Sequence, residues 1–290
     1  MIGILQNKNL NSNKVQSIIN THFSNVCAVV KDSQLYEMPD IDNDIQKYTA
    51  GTLTFEYFVK ADYINIKKII NKFGVYAGSV NEEYKRLYHN FRRRFGEELI
   101  KSLELTVCPY CNRNFINSSA DLDHFFPKSI YPLFSLSLFN LIPVCTVCNR
   151  KKQDNKISVS PYDITKSTDS IIKFIPLLKG TTEFSPIIKI LDNEMQSNVD
   201  VLDLKDSYKI HSDLIAELYF KTIKYPKNYI KSLGKFTHSP ISINMSPEEF
   251  YYGNYLKESN YYKRPLSKMT KDMIDYFKKC KKNTAHNEVV

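Results

Sequence analysis

Four of the six cysteines form two C-x2-C pairs, Cys108/Cys111 and Cys145/Cys148, with 33 residues between the pairs. Zinc prefers four tetrahedral ligands, and the C-x2-C spacing lets both sulfurs of a pair face one ion. In a reducing compartment, thiols at this spacing are typical of metal ligands rather than of disulfides. The cysteines therefore predict a structural zinc site. A site with four thiolate ligands has no open position for catalysis.

The interval between the pairs, and the residues just after it, could hydrolyse a phosphodiester. The sequence there reads ADLDHFFPKS and, further on, FNLIPVCTVCNRKK. The Asp123-His124 pair followed by Asn140 and Asn149, inside a four-cysteine frame, resembles the HNH (His-Me finger, ββα-metal) endonuclease family. The resemblance covers about residues 105–157, which is under a fifth of the chain.

This resemblance implies a role for each residue of the motif. His124 would be the general base for the attacking water, a task suited to an ordinary pKa of about 6.5. Asp123 and Asn149 would ligate a catalytic Mg or Mn ion, because carboxylate and amide oxygens are hard ligands. Asn140 would brace the long loop of the motif and help to orient the base.

The resemblance also implies a β-β-α unit for the motif. The first strand would end at Asp123-His124, the second would cover about residues 139–143, and a helix would begin near Cys148. Three basic residues come directly after Asn149, and we expect them to contact phosphate near the N-terminus of that helix. They are Arg150, Lys151 and Lys152.

Several of these interpretations have structural alternatives. Strict alternation along a strand would point Asp123 and His124 to opposite faces, so their joint use requires a bend in the chain. Asp121 is expected to be a solvent-facing strand residue. For Arg92–Arg94 a solvated helix face is favoured over a DNA contact, and for the tyrosines of 250–262 packing is favoured over base stacking. Structural or solvated roles are also expected for the remaining histidines, His22, His89, His211, His238 and His286.

Apolar periodicity outlines the elements around the motif. A three- and four-residue repeat over Glu82–Leu103 predicts an amphipathic helix. An acidic loop is expected earlier in the chain, with Asp32, Glu37, Asp40, Asp42 and Asp44. Short β-branched runs at Ser170–Ile175 and Ile187–Leu191 predict strands, and helices are expected to follow them. The predicted class is α+β, a mainly helical protein around a small ββα core with a four-cysteine zinc site. The predicted regions are 1–103, mainly helical; 104–158, the nuclease core with zinc knuckles; and 159–290, a few strands and then helices.

Composition limits the class of protein further. The chain has 290 residues, of which 42% are hydrophobic and 24% charged, which excludes collagen-like and disordered proteins. The net charge of +9 permits a polyanionic partner. An uncharged run at residues 129–149 is long enough to cross a bilayer, but its two prolines and polar side chains argue against a membrane span. The start of the chain lacks a signal-peptide pattern, so a cytoplasmic location is expected.

The predicted function is hydrolysis of phosphodiester bonds by a metal-dependent HNH endonuclease, leaving a 5′-phosphate and a 3′-hydroxyl as the resemblance implies. DNA is the expected substrate and RNA remains open. Nucleases of this kind often serve restriction or anti-phage defence, and some, including Septu-type systems, work with an ATPase partner. Two alternatives stay open: a non-catalytic, zinc-stabilised nucleic-acid-binding module, and a subunit that is active only in a complex.

Overall fold

The computed structural model describes residues 2–7, 9–33, 38–76, 81–180, 183–224, 227–233 and 245–287. These residues form an α+β fold that is mostly helical, with two small antiparallel sheets. The helices are α1 Ser12–Lys31, α2 Met38–Thr49, α3 Phe55–Lys60, α4 Tyr63–Phe73, α5 Asn81–Ser102, α6 Thr146–Lys152, α7 Thr168–Ile171, α8 Met195–Val201, α9 Leu204–Tyr208, α10 Ser212–Lys224, α11 Lys227–Leu233, α12 Pro247–Tyr252 and α13 Ser267–Asn287. The strands are β1 Asp121–His124, β2 Leu141–Val144, β3 Ile172–Lys179 and β4 Glu183–Ile190.

The central ββα unit consists of β1, β2 and α6. The two strands pair antiparallel, with Asp123 opposite Ile142 and His124 opposite Leu141. Pro143 is tolerated in β2 because this sheet has two strands, so the strand has a free edge that needs no N–H donor. The predicted order of two strands and a helix is confirmed in this part of the chain.

The boundaries of this unit differ from those expected. The second strand begins at Leu141 rather than near residue 139, because a short 3-10 turn covers Leu138–Asn140. The helix begins at Thr146, two residues before Cys148, and ends at Lys152. This earlier start places the three basic residues in the last turn of the helix instead of the first, where their charges suit the negative end of the helix dipole.

The N-terminal helices supply much of the core around this unit. In α1 the side chain of Asn11 caps the N-terminus by accepting from Lys14 N, and Asp62 caps α4 in the same way. The long helix α5 lies against α1 and agrees with the helix predicted over Glu82–Leu103. Sequence reasoning predicts an acidic loop for residues 32–44, but α2 begins within this segment at Met38.

The C-terminal part contains the predicted strands as a hairpin. In β3 and β4, Ile172 is paired with Ile190 and Lys179 with Glu183. Helices α10 and α13 pack on this hairpin and on each other. Buried side chains from all three predicted regions form one continuous hydrophobic core. Among the described helices, none combines the length and apolarity that a bilayer crossing requires.

Candidate functional site

The four paired cysteines converge at the base of the ββα unit. The sulfur atoms of Cys108, Cys111, Cys145 and Cys148 all lie within 4.8 Å of one another. A tetrahedral zinc ion with Zn–S bonds of about 2.3 Å places its sulfurs about 3.8 Å apart, so the cluster fits such an ion. The four cysteines can therefore hold a metal ion, as the spacing predicts.

Two neighbouring groups support sulfur in its thiolate form. The amide of Asn114 donates to Cys145 Sγ at 3.2 Å, and the backbone N–H of Arg113 donates to Cys111 Sγ at 3.4 Å. Such donors around a metal site orient the ligands and stabilise their negative charge. Burial raises the pKa of the Cys108 thiol, so without a cation four adjacent thiolates would be costly at this position.

The predicted general base and the two predicted ligands of the catalytic metal line a second site, a cleft of about 500 Å³, whereas Asn140 does not line it. It is lined by Tyr88, Arg92, Asp121, Leu122, Asp123, His124, Pro127, Lys128, Asn149, Arg150, Gln153 and Asp154. The structure thus brings Asp123, His124 and Asn149 to one cavity, although the first two are consecutive residues of β1. Asp121, expected to face solvent, is half-buried and lines the same cleft.

His124 is held in one tautomer at the wall of this cleft. Its side chain is buried, and its Nε2 lies 3.0 Å from the backbone carbonyl of Ser135. Because a carbonyl oxygen only accepts hydrogen bonds, Nε2 carries the proton and Nδ1 keeps a lone pair. Burial, together with the charge of Lys128, lowers the pKa of His124 to about 3. The ring is therefore neutral, as a proton acceptor must be.

Asp123 is anchored from the protein interior. Its Oδ2 accepts from the Tyr110 hydroxyl at 2.6 Å, and Lys152 Nζ lies 3.1 Å from Oδ2 and 3.3 Å from Oδ1. Burial raises the pKa of this carboxyl, whereas Lys152 and Tyr110 stabilise its ionised form. A carboxylate has about four lone-pair sites, so these contacts leave Oδ1 able to accept a cation. Together with the amide oxygen of Asn149, Asp123 offers the hard donors that suit Mg or Mn.

Asn140 is fully buried and connects the ends of the loop between β1 and β2. Its Oδ1 accepts from Phe126 N at 2.7 Å, and its Nδ2 donates to the carbonyls of Phe126 and Phe134 at 3.1 and 2.9 Å. This geometry matches a brace for the loop. Ser135, whose carbonyl binds His124, follows Phe134 directly, so the brace lies one residue from the group that orients the ring.

The three basic residues of α6 have three different environments. Arg150 is exposed and lines the cleft. Lys151 pairs with Asp203 at 2.7 Å and donates to Ser207 Oγ. Lys152 is 0% exposed and also donates to the carbonyl of His124 at 2.7 Å. The expected phosphate contact by Lys152 does not fit this burial, because its ammonium is used to hold Asp123 and the end of β1.

One wall of the cleft comes from α5, which sequence reasoning did not connect with the site. The Tyr88 hydroxyl donates to the carbonyl of Leu122 at 2.9 Å, and its ring packs edge-on against His124 with centroids 4.3 Å apart. Arg92 donates to the carbonyl of Ala120 at 2.6 Å. The only sequence signal for Tyr88 was its place in the apolar stripe of α5, which indicated burial but not its partner.

The remaining candidates lie in different environments. Arg94 pairs with Asp32 at 2.5 Å on the surface, while Arg92 takes part in the cleft. Tyr252, Tyr261 and Tyr262 are buried. His22 is buried and His89 is exposed, whereas His211 is partly buried. His238 lies outside the described residues, as does the side chain of His286.

Comparison with protein families agrees with this geometry. Residues 108–155 match the family model of the HNH endonucleases. This segment is an HNH endonuclease domain. It contains both cysteine pairs, the ββα unit and the cleft residues of β1 and α6, and it lies within the predicted core of 104–158. The walls contributed by α5 lie outside the matched segment.

A second similarity extends beyond the domain. The chain is 29% identical to the Septu protein PtuB of Bacillus thuringiensis in an alignment of 134 residues that covers 43% of this chain and 49% of that protein. The chain therefore spans about half the length of the curated relative it matches. No solved structure matches the chain.

Proposed function

We propose that the chain is a metal-dependent endonuclease that hydrolyses phosphodiester bonds, with DNA as its substrate and anti-phage defence as its role. The observation that carries this proposal is the neutral His124 beside Asp123 and Asn149 in one open cleft. A base and two hard metal ligands are groups that can catalyse phosphodiester hydrolysis, and an exposed arginine can bind phosphate. The similarity to Septu protein PtuB supports the defence role, and an ATPase partner is part of the proposal by analogy with Septu-type systems.

Four residues of the cleft have a defined task in this reaction. Nδ1 of His124 takes a proton from water, and the water oxygen then attacks phosphorus as the bond to the 3′ oxygen breaks. A Mg or Mn ion held by Asp123 and Asn149 would supply positive charge to the scissile phosphate when bound. Arg150 is exposed at the same cleft and is placed to bind a neighbouring phosphate. The products would be a 5′-phosphate and a 3′-hydroxyl.

The test is cleavage by the purified chain of plasmid, single-stranded DNA and RNA, with and without added Mg or Mn. Added metal should be omitted rather than chelated, because a chelator would also remove a cysteine-bound zinc ion and unfold the domain. We expect DNA cleavage only with added Mg or Mn. Binding of DNA without cleavage under every condition would contradict the proposal and favour a zinc-stabilised binding module. Cleavage that appears only after a partner is added would instead favour a subunit active in a complex.

A further inference from the structure

Helix α5 continues the catalytic cleft into a second, larger groove. This groove has a volume of about 920 Å³ and shares Tyr88 and Lys128 with the wall of the catalytic cleft. Lys128 Nζ lies 4.6 Å from the centre of the Tyr88 ring, so the two side chains form the boundary between the cavities. The rest of the groove is formed mostly by α5, through Glu83, Lys85, Arg86, Leu87, His89 and Asn90.

The exposed side of α5 is basic along this groove and beyond it, because Arg86 lines the groove and Arg93 lies further along the helix, outside the groove lining. Residues 84–95 contain five arginine and lysine side chains and no carboxylate. Arg86 and Arg93 are exposed, and neither has an ion-pair partner among the described residues. They are seven residues apart, which is two helical turns or about 10 Å, close to the rise of three base pairs, about 3.4 Å each, along a duplex axis.

The acidic groups near this face do not cancel its charge. Asp32, which also lines the groove, pairs with Arg94, and Glu82 pairs with Lys85. Glu83 is partly buried and is the remaining carboxylate in the groove wall. The charge of Glu82 also acts on Arg86, and Glu97, one turn beyond Arg93, pairs with Lys101. Arg86 and Arg93 are therefore the arginines of this exposed side that have no ion-pair partner among the described residues. An extended row of cations fits a phosphodiester chain better than it fits a small, compact anion.

We propose that α5 is a nucleic-acid-binding ridge that guides the substrate strand past Tyr88 and Lys128 into the catalytic cleft. Arg86 and Arg93 bind backbone phosphates on the approach side, and the scissile phosphate lies at His124. This inference rests on the proposed nuclease function and adds to it a substrate track outside the HNH domain. Because the contacts are to phosphate, the ridge contributes affinity and register rather than base specificity.

The experiment measures binding of a fluorescently labelled DNA duplex between about 50 and 200 mM salt. It compares three chains, all carrying His124→Ala to prevent cleavage: the parent, Arg86→Gln with Arg93→Gln, and Lys67→Gln with Lys68→Gln. The last pair removes the same charge from two exposed residues of α4 that line neither cavity. Loss of two phosphate contacts should weaken DNA binding by the α5 variant. The negative slope of log K, where K is the association constant, against log salt should become shallower by about 1.8. The α4 variant should retain the parent slope.

The outcomes separate this inference from the proposed function. Equal slopes for the α5 and α4 variants, together with DNA cleavage by the chain that retains His124, would overturn the ridge and leave the nuclease intact. A chain that neither binds nor cleaves DNA would overturn both. Because Arg86 and Arg93 are exposed, their substitution should leave the melting temperature close to that of the parent.

Discussion

His22 and His124 contact adjacent carbonyl groups of the same loop but belong to different regions of the molecule. Nε2 of His22, on α1, lies 2.8 Å from the carbonyl of Leu136, and Nε2 of His124, on β1, lies 3.0 Å from that of Ser135. Both side chains are buried, and burial lowers the pKa of His22 to about 4 and that of His124 to about 3. The two histidines are alike in their burial, in having a backbone carbonyl as hydrogen-bond partner, and in being neutral.

What distinguishes them is the set of groups around each ring. His22 packs against Phe91, and its Nδ1 is buried without a hydrogen-bond partner among the described residues. His124 instead shares an open cleft with Asp123 and Asn149. Because burial lowers the pKa of both rings, the pKa alone does not identify a catalytic histidine here. The feature that marks His124 is the pair of proposed metal ligands, Asp123 and Asn149, in the same cleft.

The largest expected effect comes from breaking the cysteine cluster, where Cys145 follows the end of β2 that lies away from the loop contacted by both histidines. Cys145→Ser should remove a bound zinc ion, about one per chain, and unfold the domain, because structural zinc contributes about 10 kcal/mol or more to folding. Cys27→Ser is the matched control, since Cys27 is also half-buried but lies outside the cluster. Metal analysis and thermal unfolding measure both effects. A folded Cys145→Ser chain without metal would contradict the structural role of the site.

A second prediction concerns Lys152, a partner that His124 has and His22 lacks. Lys152→Met should lower the free energy of unfolding by about 3–5 kcal/mol, because it leaves Asp123 buried without its counter-ion. Lys151→Met removes the adjacent charge from a surface pair and should change the free energy of unfolding by about 1 kcal/mol or less. Urea unfolding of the two variants gives the comparison. Equal decreases in the free energy of unfolding would show that the buried Lys152–Asp123 pair stabilises the chain no more than the surface pair does.

The smallest effect is a pH dependence of stability that His22 contributes from outside the catalytic cleft. Its pKa of about 4 in the folded chain lies below the ordinary 6.5 of the unfolded chain. The unfolded chain therefore binds more protons between these values, and the stabilising contribution is present above pH 6.5 and is lost as pH falls toward 4. Between pH 6.5 and 5 the loss should be about 2 kcal/mol.

His22→Gln isolates this contribution, because the ionisable groups beside His22, including Lys14, Glu98 and Glu104, are the same in both chains. The free energy of unfolding of the parent relative to the variant should decrease by about 2 kcal/mol from pH 6.5 to pH 5. Urea unfolding at the two pH values measures the difference. A constant difference would contradict a buried, neutral His22.

The contrast between the two histidines also shows what sequence could predict. The cysteine spacing predicts the four-cysteine cluster because each C-x2-C pair is a local structure, and the order of the motif predicts the ββα unit that holds His124. The contacts of Lys152 with Asp123 and of Tyr88 with His124 join residues far apart in the chain. They depend on how α5 and α6 pack on β1, which no local pattern records. The same limit applies to α2, where acidic residues suggested a loop and tertiary packing favours a helix.

The most direct test of the account is cleavage of DNA with added Mg or Mn by the parent, His124→Ala and His22→Ala, each corrected for its folded fraction. Both substitutions remove a buried ring that contacts the same loop, so both should destabilise the chain. Loss of a general base should reduce the cleavage rate of His124→Ala by about 10² to 10⁴, whereas His22→Ala should cleave at nearly the parent rate per folded molecule. Equal cleavage by His124→Ala and the parent would contradict the assignment of the cleft as a nuclease site.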